Sequence, residues 1–252
     1  MNKKPTHLLV DLDGTLLHGD TLPMRMDFLY RMLRRCRRHG SVWQSLKALR
    51  TMQEAAEKPS LNETNQARII RAFGEVFQFD EAVAEKFLNE SVLEVFPKLK
   101  RHFFPVPGAA EFLHWAKQDY ALILATNPIW IPKPVEYRVE WAGLSLELFQ
   151  SFTHAEKMHA CKPTADYYHE ILQQEGLEAE NCLLIGNEIE NDLPASRVGI
   201  SVFLVDTQKE EKKAMFKPIQ RAPGEAPSWT GNYAGLKELL LSRTPRSSFE
   251  NR

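Results

Sequence analysis

A chain of 252 residues with 32 Lys plus Arg against 33 Asp plus Glu, a formal net charge of −1, suits one large α/β domain, or a core domain with a smaller insert. The balance excludes a general electrostatic argument for nucleic acid as partner. Cys36, Cys161 and Cys182 are an odd number without paired spacing, and no charged-then-apolar leader or long apolar span precedes the first apolar run, so a cytoplasmic protein without a membrane span is the expectation.

The first element is the run His7 to Val10, which ends abruptly in Asp11, Leu12, Asp13 and Gly14. A short apolar run of this kind reads as a buried parallel strand opening into a loop. The next stretch, about 18–104, holds no comparable run. Met24, Phe28, Leu29, Met32, Leu33 and Cys36 make one stripe at helical spacing, and Ile69, Ile70, Phe73, Val76 and Phe77 another. Ser41 and Asp80 are placed to cap helices over Val42 to Glu57 and Glu81 to Val95. The stretch therefore reads as an all-helical subdomain inserted after the first strand. It carries a basic cluster, Arg31, Arg34, Arg35, Arg37 and Arg38, which reads first as a solvated helix face, with an anionic partner as the alternative. Trp43 is expected in the core.

After the insert, strands alternate with helices. Ala109 to Lys117 is a helix, Tyr120 to Thr126 a strand, Ala165 to Glu175 a helix, Cys182 to Ile185 a strand, Pro194 to Val198 a helix and Val202 to Val205 a strand. Pro128, Pro132 and Pro134 around Trp130 read as a stiff loop. The alternation predicts an α/β fold with a doubly wound parallel sheet, built from 1–17 and 105–243, with 18–104 as the insert and a frayed polar tail at 244–252.

Polar residues gather where these strands end: Asp11 and Asp13, Thr126 and Asn127, and the cluster Asn187, Glu188, Glu190 and Asp192 after Gly186. Lys162 lies in the loop before the second helix of the core. Taken singly, Asp11 to Gly14 is a turn, Lys162 a loop lysine and Asp192 a helix cap before Pro194. Taken in order, Asp11-Leu12-Asp13-Gly14-Thr15, then Thr126, then Lys162 and then Gly186 to Asp192 resemble the four motifs of the haloacid dehalogenase (HAD) superfamily, with the helical insert in the place of its C1 cap.

The resemblance implies a Rossmann-like core and a Mg²⁺-dependent phosphatase acting on a small phosphorylated metabolite. A carboxylate attacking a charged phosphate monoester needs a cation, a hydroxyl and an aligned nucleophile in one place. Asp11 would be the nucleophile, Asp13 the proton shuttle, and Lys162 the cation opposite the metal. Thr126 and Asn127, with Lys162, would hold the phosphate. Asp11, Asp13, Glu188, Asp192 and Asn187 are the candidate metal ligands. Asn187 stands where many HAD proteins carry an aspartate, so the adjacent Glu188 is expected to make the metal contact, with Asn187 orienting the loop. Dehalogenases of the superfamily lack the second aspartate, which Asp13 supplies. A phosphosugar mutase and a phospho-ligand binder without turnover are the alternatives.

Overall fold

A computed structural model of the chain describes residues 4–58, 60, 62–207 and 213–242; the tail expected at 244–252 lies outside them. Strand β1 (His7–Val10) opens the chain and leads to β2 (Leu17–Gly19), then to helices α1 (Thr21–Cys36), α2 (Val42–Glu57), α3 (Asn65–Phe77) and α4 (Glu81–Val95). Strand β3 (Phe103–Pro105) returns antiparallel to β2, with Leu17 opposite Pro105, so a two-stranded ribbon joins the insert to the rest. There follow α5 (Ala109–Ala116), β4 (Ala121–Leu124), α6 (Pro132–Trp141), β5 (Ser151–Phe152), α7 (Ala165–Glu175), β6 (Cys182–Gly186), β7 (Ser201–Val205), β8 (Phe216–Ile219), β9 (Ser228–Gly231) and α8 (Tyr233–Leu241).

The main sheet runs β5-β4-β1-β6-β7-β9-β8. All its neighbours are parallel except β8, which pairs antiparallel with β9 at the edge. Alternate residues of the central strands feed opposite layers, as the strand period of two requires. Leu8, Val10, Leu122, Leu124, Leu183 and Ile185 pack on one face with α5, α6 and α8. Leu9, Ile123, Leu184, Val202 and Leu204 pack on the other with α7. Burial on both faces explains why these strands are unbroken apolar runs.

The strands that the sequence pattern misses are the short or polar ones. β5 has two residues, and β8 is mostly exposed and carries Lys217 and Pro218. The stiff loop expected around Pro132 and Pro134 is instead the start of α6. Both prolines fall in the first helical turn, where a backbone N–H has no intrahelical partner and a fixed φ favours the helix. The segment expected as a helix at Pro194 to Val198 is a 3₁₀ helix, Leu193–Val198.

Within the insert, Ser41 accepts from Gln44 N in a capping box and Asp80 accepts from Val83 N. Phe73, Phe77, Cys36 and Leu88 form a separate small core. In the basic cluster, Arg31 pairs with Asp27 and Arg35 with Glu94, while Arg34, Arg37 and Arg38 are exposed. Trp43, expected in the core, is 81 % exposed. It lies in the first turn of α2, whose buried residues are Ser45, Ala48 and Ala56. Among the described residues no helix is long and apolar enough to cross a membrane, and the three cysteines are buried free thiols.

The insert is pinned to the sheet domain through its polar contacts as well as its apolar ones. Phe28 and Phe96 stand edge-on to Trp130 at 5.4 and 4.8 Å between ring centroids. Asn65, at the first turn of α3, is fully buried; its Nδ2 donates to Pro128 O at 3.0 Å and Ala160 O at 3.3 Å, while its Oδ1 accepts from Arg68 at 2.6 Å. Replacement of Asn65 by Leu leaves two carbonyls and a buried guanidinium without this partner. We expect Asn65→Leu to lower unfolding stability by about 3 kcal/mol, read as a fall in the urea midpoint at unchanged slope.

Candidate active site

The register of the three central strands aligns their ends. Val10 stands opposite both Leu124 and Ile185, so Asp11, Thr126 and Asn187 emerge at the same carboxyl edge of the sheet, where α/β proteins place their ligands. Asp11 continues β1 by one bond, its N–H donating to Ile185 O at 2.8 Å. Two glycines make the edge close. Gly14 has φ +83°, and a Cβ there would lie 2.3 Å from Asn187 Nδ2; a Cβ on Gly186 would lie 2.3 Å from the Asp192 carboxyl.

Lys162 is the centre of the arrangement. Its Nζ is 2.7 Å from Asp11 Oδ1 and 2.7 Å from Asp192 Oδ1, and all three side chains are buried. Burial pulls the ammonium down, and the attraction of Asp11 and then Asp192 more than reverses it, so Lys162 is held well above the ordinary lysine value. Burial pushes the Asp11 carboxyl up to about 7, against the downward pull of Lys162. The second oxygen of Asp192 accepts from the backbone N–H of Asn187 and of Glu188, each at 3.0 Å. Asp192 therefore ties the loop after β6 to Lys162, and no capping bond from its side chain reaches the 3₁₀ helix that follows.

The remaining candidates separate into two groups. Asn187 faces Asp11: the Thr15 hydroxyl lies 3.1 Å from Asp11 Oδ2 and 3.0 Å from Asn187 Oδ1. Glu188 is exposed, with its carboxylate accepting from Asn191 Nδ2. The structure thus brings Asn187, rather than Glu188, up to Asp11. Thr126 is buried beyond β4, its carbonyl accepting from the Thr153 hydroxyl at 2.6 Å and the Tyr167 hydroxyl at 3.0 Å. Asn127 Oδ1 is buried without a hydrogen-bond partner among the described residues. Asp13 is half exposed at the mouth and pairs with the buried Arg138 of α6.

Sequence reasoning assigned no role to Thr15 or Arg138. Thr15 stands inside the first motif, and its signal was present as Asp-Gly-Thr. Arg138 lies 125 positions from Asp13 in a helix concealed by its prolines.

Among the described residues no group of three or more His, Cys, Asp or Glu side chains is arranged to hold a metal. The donor set explains this, since Asp192 is committed to Lys162 and Glu188 points away. What remains beside Asp11 is the Asn187 amide oxygen, with the Thr15 hydroxyl between the two. These are hard oxygen donors with one negative charge, a set that fits Mg²⁺ when phosphate and water complete it.

The sheet edge thus gathers an aspartate pair, a buried lysine and a second acidic loop. A family model of haloacid dehalogenase-like hydrolases matches residues 5–198, and the chain belongs to that family. Solved structures with the same fold include a 2-haloacid dehalogenase from Pseudomonas syringae pv. Tomato DC3000, at 20 % identity and TM-score 0.60 over 95 % of this chain and 99 % of that one. A HAD phosphatase from Thermococcus onnurineus aligns at 18 % identity and TM-score 0.55, over 93 % and 97 % of the two chains. A protein described as a predicted phosphoglycolate phosphatase from Haemophilus somnus 129pt aligns at 16 % identity and TM-score 0.53, over 94 % and 98 %. A comparison with curated protein sequences gives no match.

The raised Asp11 carboxyl has a consequence for stability. Its native value of about 7 lies above the ordinary aspartate value of 3.8, so the native state holds a proton that the unfolded chain has released between those pH values. The stabilisation is complete below pH 4 and is lost as pH rises through about 7, on the order of 4 kcal/mol in all. In metal-free protein, Asp11→Asn is expected to unfold at higher urea than the wild type at pH 7.5, with the gap closing below pH 5; parallel pH profiles for the two proteins would contradict the assignment.

Proposed function

We propose that the protein is a Mg²⁺-dependent hydrolase of small phosphate monoesters that works through an aspartyl phosphate on Asp11. The observation that carries this reading is the second carboxylate, Asp13, standing half exposed at the mouth of a site whose first carboxylate is buried. Halide leaves carbon without needing a proton, so a second carboxylate has no task in dehalogenation. An alcohol leaving phosphorus needs one.

In the first step Asp11 attacks phosphorus, the P–O bond to the alcohol breaks, and Asp13 gives its proton to the departing oxygen. In the second, ionised Asp13 takes a proton from water as that water attacks phosphorus, and the Asp11 carboxylate is released. Lys162 stabilises the ionised nucleophile in the first step and the negative charge on the phosphoryl oxygens in both. The Thr126 hydroxyl, the Asn127 N–H and Lys162 bind those oxygens. Asp11, the Asp13 carbonyl and Asn187 Oδ1 would hold Mg²⁺, which when bound offsets the phosphate charge as a Lewis acid. Asp192 supports Lys162 and the loop. The insert, packed over the sheet domain through Trp130 and Asn65, favours small substrates over macromolecules.

With Mg²⁺ and a panel of phosphorylated metabolites, the wild type is expected to release phosphate and Asp11→Asn to lose all measurable turnover. Halide release from 2-haloacids without phosphate release would overturn the reading. Transfer of the phosphoryl group to a sugar would instead favour the mutase.

The metal assignment has its own test. Charge and the spacing to Asp192 rank Glu188 first, whereas the contacts of Asn187 with Thr15 beside Asp11 favour Asn187. Asn187→Ala is therefore expected to raise the Mg²⁺ concentration for half-maximal activity by about tenfold, in keeping with loss of a donor oxygen, and Glu188→Ala by much less. The opposite order in a Mg²⁺ titration would return the contact to Glu188.

A further inference from the structure

Arg138 is buried on α6, and each edge of its guanidinium is distinct. Nε donates to Pro134 O at 3.2 Å, one turn back on the same helix. Nη1 is ion-paired with Asp13 Oδ2. Nη2 is buried with no partner among the described residues. The helix itself is a rigid platform, begun by Pro132 and Pro134 and sunk into the main core through Val135 and Val139. The partner is not rigid in the same way, since the Asp13 side chain is 51 % exposed and stands on a loop where rotamer freedom is large.

A buried guanidinium held by its own helix selects one orientation of a carboxylate that would otherwise sample several. We propose that Arg138 is a positioning residue for Asp13, holding the proton shuttle at the mouth of the site. The inference rests on the phosphatase reading above.

The test compares two esters that differ in how much they need the proton. Nitrophenolate leaves largely unassisted, whereas an alkoxide does not. Arg138→Met is expected to lower kcat/KM for glycerol phosphate by about 100-fold, the scale of general acid catalysis, and that for 4-nitrophenyl phosphate by at least tenfold less. Arg138→Lys should restore part of the difference. In an Asp13→Asn background, Arg138→Met should no longer change the ratio of the two esters. Equal losses on both esters, or a ratio that shifts as much without Asp13, would show a structural role and overturn the inference alone. Should Arg138→Met not fold, Arg138→Lys gives the same reading through a smaller shift in the ratio, and an unshifted ratio there overturns it. If the wild type turns over neither ester with Mg²⁺, the phosphatase reading falls and the inference with it.

Discussion

The contact on which the catalytic edge depends is the buried ammonium of Lys162 between Asp11 and Asp192, at 2.7 Å from each. Two carboxylates held on one buried ammonium repel each other, and without the cation they would not both stay ionised. Lys162 allows the loops after β1 and β6 to converge, and Asp192 then spends its other oxygen on the N–H groups of Asn187 and Glu188. Such a triad adds little net stability, because three desolvated charges offset most of their mutual attraction. Its effect is geometric: it fixes where the Asp11 and Asp192 side chains point.

The same triad is a compromise. A carboxyl held at about 7 by burial is poorly disposed to ionise on its own, and a bound cation beside Asn187 and Thr15 would shift that balance toward the nucleophilic form. The native fold tolerates the cost of this buried carboxyl because the sheet beneath it is packed on both faces.

Much of the architecture was legible because the central strands are buried on both sides, which turns them into unbroken apolar runs ending at polar residues. The edge strands were not legible for the opposite reason. β8 faces solvent and β5 is too short to show a period. At the site, the sequence marked Asp11, Asp13, Thr126 and Lys162 by their place after strands, and the register brings the first three to a common edge. By charge it ranked Glu188 above Asn187, whereas the structure brings Asn187 up to Asp11. Which of two adjacent loop residues turns inward is decided by Gly14, whose missing Cβ makes room for the amide, and by Asn191, which holds the glutamate outside. The Arg138 contact was hidden twice, once by distance in the chain and once by prolines that start a helix while reading as a loop.

The match to the family ends at residue 198, yet the site does not. Tyr233, at the start of α8, donates its hydroxyl to the Thr15 carbonyl at 2.8 Å, and Thr15 is the residue whose own hydroxyl lies between Asp11 and Asn187. The last helix thus braces the first motif from behind, across 218 positions of chain. Two relatives alike through every family motif can therefore differ in how firmly the nucleophile loop is held, according to a segment that motif comparison leaves out. In this chain the loop that carries Asp11 is thereby tied to a helix beyond the matched segment.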